Sequence, residues 1–154
     1  MTIQWNKDDL FYVCTMIEYV SRKTHNKSKD VVVRMSDKAL AHQLKAAGIN
    51  HCLSFEQVAD EWIEDYGIPN GNYDNISKCR YEVPTVTAIG RVYQTLISEV
   101  ASLYQDIVEA IKMVYSSFIS DEILIIIPVY ITVIQTILDV LMRQENYWTK
   151  KIVL

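Results

Sequence analysis

An apolar seam in the second half of the chain constrains the fold more than any other feature. Its eight members follow one another at alternating four- and three-residue steps: Ile89, Tyr93, Leu96, Val100, Leu103, Ile107, Ala110 and Val114. This spacing predicts one long helix from about Val86 to Tyr115. Further apolar residues beside the seam favour packing against the protein's own shorter helices, and a homodimeric coiled-coil-like interface is the alternative.

Composition favours the same fold class. The chain has 154 residues, enough for one domain with its own core, and 50% of them are hydrophobic. Only four Gly and three Pro are present, too few for a β-rich fold with many tight turns. We therefore expect an all-α fold, a helical bundle of five or six helices around the one long central helix, with residues 1–122 as the helical domain.

The cysteines and the net charge limit the compartment and the partners. Cys14, Cys52 and Cys79 form an odd set without CxxC spacing, which is typical of reduced thiols in a cytoplasmic protein. Residues 1–20 lack the basic start and the cleavage site of a secretion signal. The formal net charge of −4 supplies no general attraction to phosphate, so we do not expect nucleic acid as the main partner.

A first helix is predicted from Asn6, whose side chain can cap it, to about Lys23. Its apolar stripe consists of Leu10, Val13, Cys14, Ile17 and Val20. The charged residues Lys7, Asp9, Glu18 and Arg22 lie largely off this stripe.

Two further helices carry both start and stop signals. One runs from Ser36 to Gly48, where we expect a left-handed glycine at the C′ position followed by an apolar contact of Ile49. The other begins at Ser54 in a capping-box pattern and ends before Gly67.

Residues 22–38 are the one basic stretch of an acidic chain, with six Lys or Arg against two Asp. Within it three successive valines, residues 31–33, leave helix and extended structure both open. A connector rich in turn-forming residues follows at 69–84, and it either folds on itself or contacts a partner. We predict that these segments bind a partner through Arg22, Lys23, Lys27, Lys29, Arg34, Tyr73 and Tyr81.

No residue pattern indicates catalysis, a cofactor or a metal site. His51 and Cys52 are neighbours, but a metal needs three or four ligands at defined spacing, and the ordinary interpretation is a surface His beside a buried structural thiol. The P-loop, GxGxxG, HExxH, GxSxG and EF-hand patterns do not occur. We therefore expect a protein that is not an enzyme.

The two short helices invite comparison with a DNA-binding helix-turn-helix. The link between them, residues 48–53, is longer than the usual turn of about three or four residues. The second helix carries five acids and no base, which would repel phosphate. Both observations argue against reading of DNA by that helix.

Composition changes abruptly at residue 123. Residues 123–142 include fourteen Ile, Leu, Val or Met and one charge, Asp139. Their length and the basic, aromatic flank behind them are typical of a membrane span, but Thr132, Gln135 and Asp139 are costly in hydrocarbon. We expect an apolar C-terminal helix within 123–154 that packs on the same domain, with a membrane anchor or an aberrant tail as alternatives.

Four segments carry a resemblance to a known family: Phe11–Cys14, Ile17–Val20, the run HCLSFEQVADEW at 51–62, and Gly90–Tyr93. Over about residues 8–122 the chain resembles small uncharacterised bacterial helical proteins that tend to be encoded near ADP-ribosyltransferase-like toxin proteins. The resemblance implies a bacterial, cytosolic partner protein linked to a toxin–antitoxin or defence system, and it carries no catalytic motif. The Ile-rich ending departs from the family's polar ending.

These observations predict a non-enzymatic protein-interaction module that binds a protein partner or forms a homo-oligomer. The first alternative is a nucleic-acid-binding regulator that uses residues 22–38 on phosphates. The second is a tail-anchored membrane protein, which depends wholly on residues 123–142.

Overall fold

The computed structural model describes residues 3–77, 79, 82–126, 140 and 143. These residues form seven α-helices and no strand, which confirms an all-α bundle. The helices are α1 (Lys7–Thr24), α2 (Ser28–Arg34), α3 (Asp37–Asn50), α4 (Phe55–Asp65), α5 (Val86–Tyr104), α6 (Ile107–Ser116) and α7 (Ile119–Ile126).

Helix α1 occupies the centre of the bundle, because α2, α3, α4 and α5 all pack against it. Its predicted cap is confirmed: the Asn6 side chain accepts a hydrogen bond from the Asp9 amide at 2.8 Å, and Asp9 bonds back to the Asn6 amide. All five residues of the predicted stripe are buried. Glu18 lies off the stripe and is buried as well, since α2 covers that side of α1 and leaves Glu18 only 3% exposed.

The predicted continuous helix over 86–115 is wrong. Gln105 adopts a left-handed conformation with φ 58° and ends α5, and Asp106 then caps α6 by accepting hydrogen bonds from the Val108 and Glu109 amides at 3.1 and 3.2 Å. Helix α6 packs back against α5. The central position belongs to α1. The heptad spacing did not reveal the break between α5 and α6, because Leu103 and Ile107 on either side of it are still four residues apart.

The apolar seam is nevertheless buried within the chain's own core, apart from Leu103, which is 54% exposed at the end of α5. The other seven members pack inside the bundle on two different helices. A face already covered in this way is not available to a coiled-coil partner, so the structure favours the intramolecular interpretation of the seam.

Helix α3 passes through Gly48 and ends at Asn50, so the predicted left-handed cap at Gly48 is wrong. Ile49 is 75% exposed and makes no capping contact. The same signal at the end of α4 is correct: Gly67 has φ 59°, its amide bonds to Glu64, and the amide of buried Ile68 bonds to Ile63 at 3.0 Å. The glycine signal therefore ends the helix where the following apolar residue is buried, as at Ile68, and not where that residue is exposed, as at Ile49.

The connector at 69–84 lies across the junction between α1 and α2. The Gly71 amide donates to the Thr24 carbonyl at 2.7 Å, and the Tyr73 amide donates to the His25 carbonyl at 2.9 Å. A Cβ at Gly71 would overlap backbone and side-chain atoms of His25 and Asn26, so this close approach requires glycine. In its described part the connector thus bonds to the chain itself.

Helix α7 spans position 122/123, where the composition changes, and its residues Ile119 and Ile123 are buried next to α6. Among the described helices, none is both long and apolar enough to cross a bilayer. The predictions for residues 127–139, 141–142 and 144–154 lie outside the described residues.

Candidate interaction surface

A groove with a mainly apolar lining lies between α2 and α6. We call it the α2/α6 groove; it holds a cavity of about 460 Å³. Its apolar lining comes mainly from Val32, Val33, Met35 and Met113, and its rim carries Lys29, Glu109 and Lys112. A predominantly apolar hollow with a few charges at its rim is typical of a binding site.

The three valines of α2 explain how the groove arises. Successive helical residues point about 100° apart, so a run of three cannot be buried on one face. Val31 and Val32 enter the core, whereas Val33 is 78% exposed beside the groove. Of the large apolar residues in the described chain, Val33 is the most exposed.

The outer face of α2 also carries two opposite charges next to Val33. Asp30, Val33 and Arg34 are exposed and stand at i, i+3 and i+4, which places them on one face of the helix. Within the described part of the chain, neither Asp30 nor Arg34 belongs to a salt bridge.

Arg22 and Lys23, both predicted to bind a partner, make ionic contacts inside the fold. Arg22 Nε donates to Glu18 Oε1 at 2.9 Å, and its Nη2 donates to the Pro84 carbonyl at 2.8 Å. Lys23 Nζ lies 2.8 Å from Asp60 and 3.6 Å from Glu56, and the hydrogen bond to Asp60 raises the pKa of Lys23. These contacts join α1 to α4 and to the end of the connector.

Lys27 and Lys29 bind the first turn of α7 through one carboxylate. Their Nζ atoms lie 3.4 and 3.1 Å from the two oxygens of Asp121. Partial burial alone would raise the pKa of Asp121, but the hydrogen bond from Lys29 and the charge of Lys27 lower it overall. Lys27 also lies 5.3 Å from the centre of the Tyr73 ring, as in a cation–π contact.

The structure therefore separates the seven residues predicted to bind a partner. Arg34 lies on the exposed face of α2, whereas Arg22, Lys23, Lys27 and Tyr73 make contacts within the fold. Lys29 lines the α2/α6 groove and also pairs with Asp121. Tyr81 lies outside the described residues. Sequence reasoning missed Val33 and Met113, and the run of three valines in one short helix was the signal that pointed to an exposed one.

A polar cluster lies in the core around Glu18. Its carboxylate accepts hydrogen bonds from Arg22 and from the Ser28 hydroxyl, the latter at 3.0 Å.

The rings of Tyr93 and Tyr115 are fully buried and stack with centroids 4.1 Å apart. Burial raises the pKa of the Cys14 thiol to about 12 and raises the pKa of both tyrosines, so these groups stay protonated at neutral pH. Such a thiol is a poor nucleophile.

The histidines and cysteines do not assemble a metal site in the described residues, where no group of three or more His, Cys, Asp or Glu could hold an ion. Cys52 is exposed, with Sγ 3.8 Å from His51 Nε2, so its predicted burial is wrong; Cys14 is the buried thiol. The reason is that α3 and α4 are joined at the surface by residues 51–54.

The length objection to a helix-turn-helix is also wrong, since α3 continues to Asn50 and leaves a link of four residues, 51–54. The charge objection remains, because all five acids of α4 are exposed and its apolar side, including Trp62, packs into the core.

Comparison with known proteins adds no relative: no protein-family profile, curated protein or solved structure matches the chain. The link to toxin-associated bacterial proteins stays a prediction.

Proposed function

We propose that this chain is a non-enzymatic protein-interaction module that receives an α-helix of a protein partner in the α2/α6 groove. The observation that carries the proposal is Val33, which is 78% exposed beside an apolar cavity of about 460 Å³. Covering both with one apolar partner helix removes them from water together, and the hydrophobic effect favours that burial.

The shape of the groove suits a helix. Its two walls are themselves helices, α2 and α6, which pack against each other and leave a depression between them. A helix binds such a depression by placing an apolar side chain of its exposed face in it, and charges at the rim fix its orientation. Glu109 and Lys112 supply charges of both signs at this rim, and Lys112 also contacts Asp37 at 3.0 Å.

Nucleic-acid binding finds less support in the geometry. Of the basic residues at 22–34, Arg22, Lys23, Lys27 and Lys29 already contact acidic groups of the same chain. Phosphate binding would have to compete with these contacts, and the release of counterions that drives such binding would be correspondingly smaller.

The proposal places the module in the bacterial cytosol, where Cys14, Cys52 and Cys79 stay reduced. The resemblance of residues 8–122 suggests a toxin- or defence-linked protein among its partners. The groove itself is the testable part of the proposal.

The decisive experiment compares two single substitutions in the tagged full-length chain. Val33→Glu places a charge in the groove, and Ile49→Glu changes an equally exposed residue on α3 that does not line it. Proteins co-purified from cells of the host are identified by mass spectrometry, and each is then purified and titrated against the three chains by calorimetry.

We expect Val33→Glu to weaken binding of a genuine partner by at least about tenfold, since about 1.4 kcal/mol is a modest cost for a charge at a buried contact. Ile49→Glu should bind as the unmodified chain does. If both substitutions have equal effects, or neither has one, the groove is not the contact surface and the proposal is wrong.

A further inference from the structure

We infer that the helix received by the α2/α6 groove is α2 of a second copy of this chain, so that the module is a symmetric dimer. This inference rests on the proposed function, because it names the partner of the same surface. It arises from the exposed face of α2, which carries the apolar residue Val33 at the groove and two charges of opposite sign.

Self-complementarity is the first step. In a dimer with two-fold symmetry the same patch meets itself, so the patch must contain both halves of each contact. Val33 is 78% exposed and lines the hollow together with Val32 and Met113. Val33 of each copy can therefore enter the hollow of the other, and both apolar contacts form at once.

Charge complementarity is the second step. Asp30 and Arg34 stand one helical turn apart, on either side of Val33 along α2. When two α2 helices cross antiparallel about a two-fold axis, Asp30 of one copy faces Arg34 of the other, and the symmetry repeats the pair. Both side chains are exposed and have no salt bridge within the described part of their own chain. The dimer would give each of them a partner.

The rim of the groove fits the same arrangement. Glu109 and Lys112 both line it and lie 3.6 Å apart, with side chains 56% and 42% exposed. A rim that carries both signs can face a copy of itself without net repulsion, whereas a partner of uniform charge would meet like charge on one side.

Charge reversal tests the inference in a way that only self-association can satisfy. The chain has a mass of 17.8 kDa, so light scattering after size-exclusion chromatography should give twice that mass for the unmodified protein. Asp30→Arg and Arg34→Asp are first made singly. Each of them turns both symmetry-related pairs between the two copies into pairs of like charge. We expect each to raise the dissociation constant by at least about tenfold.

The double variant Asp30→Arg with Arg34→Asp restores opposite charges across the axis. It should recover dimerisation to within about threefold of the unmodified chain, because the two changes compensate only when both surfaces carry them. Circular dichroism checks that each variant is folded. Val33→Glu should also give a monomer, and it avoids any loss of helix-dipole interactions at the ends of α2.

A monomeric unmodified chain at every concentration overturns the second-copy inference, as does a double variant that stays monomeric while folded. Neither result contradicts the proposed function. That proposal is tested separately, by comparing how strongly the Val33→Glu and Ile49→Glu variants bind a different protein. If those two bind such a partner equally and the chain is also monomeric, both proposals are wrong.

Discussion

Glu18 and Arg22 form an ion pair across one turn of α1, with Arg22 Nε 2.9 Å from Glu18 Oε1, although the Glu18 side chain is only 4% exposed. The same guanidinium reaches the Pro84 carbonyl, and Ser28 donates to the second oxygen of Glu18. One buried carboxylate therefore ties together α1, α2 and the end of the connector.

Replacement of Arg22 by Met should destabilise the fold strongly. It leaves the Glu18 carboxylate buried with Ser28 as its remaining side-chain donor, and removal of one partner of a buried pair costs about 3–5 kcal/mol. Urea unfolding followed by circular dichroism measures the loss. Lys23→Met, which breaks the exposed contact with Asp60, is the control and should cost less than about 1 kcal/mol. Equal losses would contradict a special role for Glu18.

Two glycine substitutions should have opposite effects on stability. A Cβ at Gly90 would overlap Thr15 where α5 crosses α1, so Gly90→Ala should cost about 1–3 kcal/mol. Gly48 lies inside α3 with no atom near its missing Cβ, so Gly48→Ala should stabilise by about 0.5–1 kcal/mol. Thermal unfolding of both variants checks the signs. Destabilisation by Gly48→Ala would indicate the left-handed conformation that the sequence predicted.

The turn between α5 and α6 should respond to its two defining residues. Asp106→Ala removes the cap that accepts from two amides and should cost about 0.5–2 kcal/mol. Gln105→Gly relieves a left-handed non-glycine residue and should be neutral or stabilising by up to about 1 kcal/mol. If the chain instead formed one continuous helix here, glycine at 105 would destabilise it; denaturant midpoints of the two variants distinguish these cases.

The three thiols should react in order of exposure. Cys52 is exposed and Cys79 is partly buried, whereas Cys14 is fully buried and its pKa is raised to about 12 by that burial. Iodoacetamide should therefore modify Cys52 in the native protein and reach Cys14 only after unfolding. Peptide mass spectrometry of a time course gives the order. Fast native modification of Cys14 would contradict its place in the core.

Asp121 should contribute to the pH dependence of stability. Against the opposing effect of partial burial, Lys29 and Lys27 lower its pKa in the folded state. Its contribution to the stability of the fold is therefore fully present above pH 3.8, which matches the ordinary pKa of an aspartate. The contribution is lost as the pH falls through the lower pKa of the folded state. The Asp121→Asn variant should lose less stability than the unmodified chain between neutral pH and about pH 3, as urea midpoints across this range can measure. Parallel pH profiles would show that the contact with the two lysines is without effect.

Local signals in the sequence determined most of the helices. The caps at Asn6 and Ser54 and the stripe of α1 all depend on residues within one or two turns of each other, so the sequence alone shows them. The helical spacing of the apolar residues and the small number of Gly and Pro residues were enough to predict an all-α bundle.

Only the tertiary structure decided which side chains are covered and which remain open. Glu18 is buried because α2 packs over it, the seam is divided because α6 folds back on α5, and the basic residues are largely neutralised by acids from α1, α4 and α7. Val33 is left exposed beside the α2/α6 groove for the same reason. Spacing within one helix shows which residues share a face, but which element covers a given side chain depends on contacts between residues far apart in the chain.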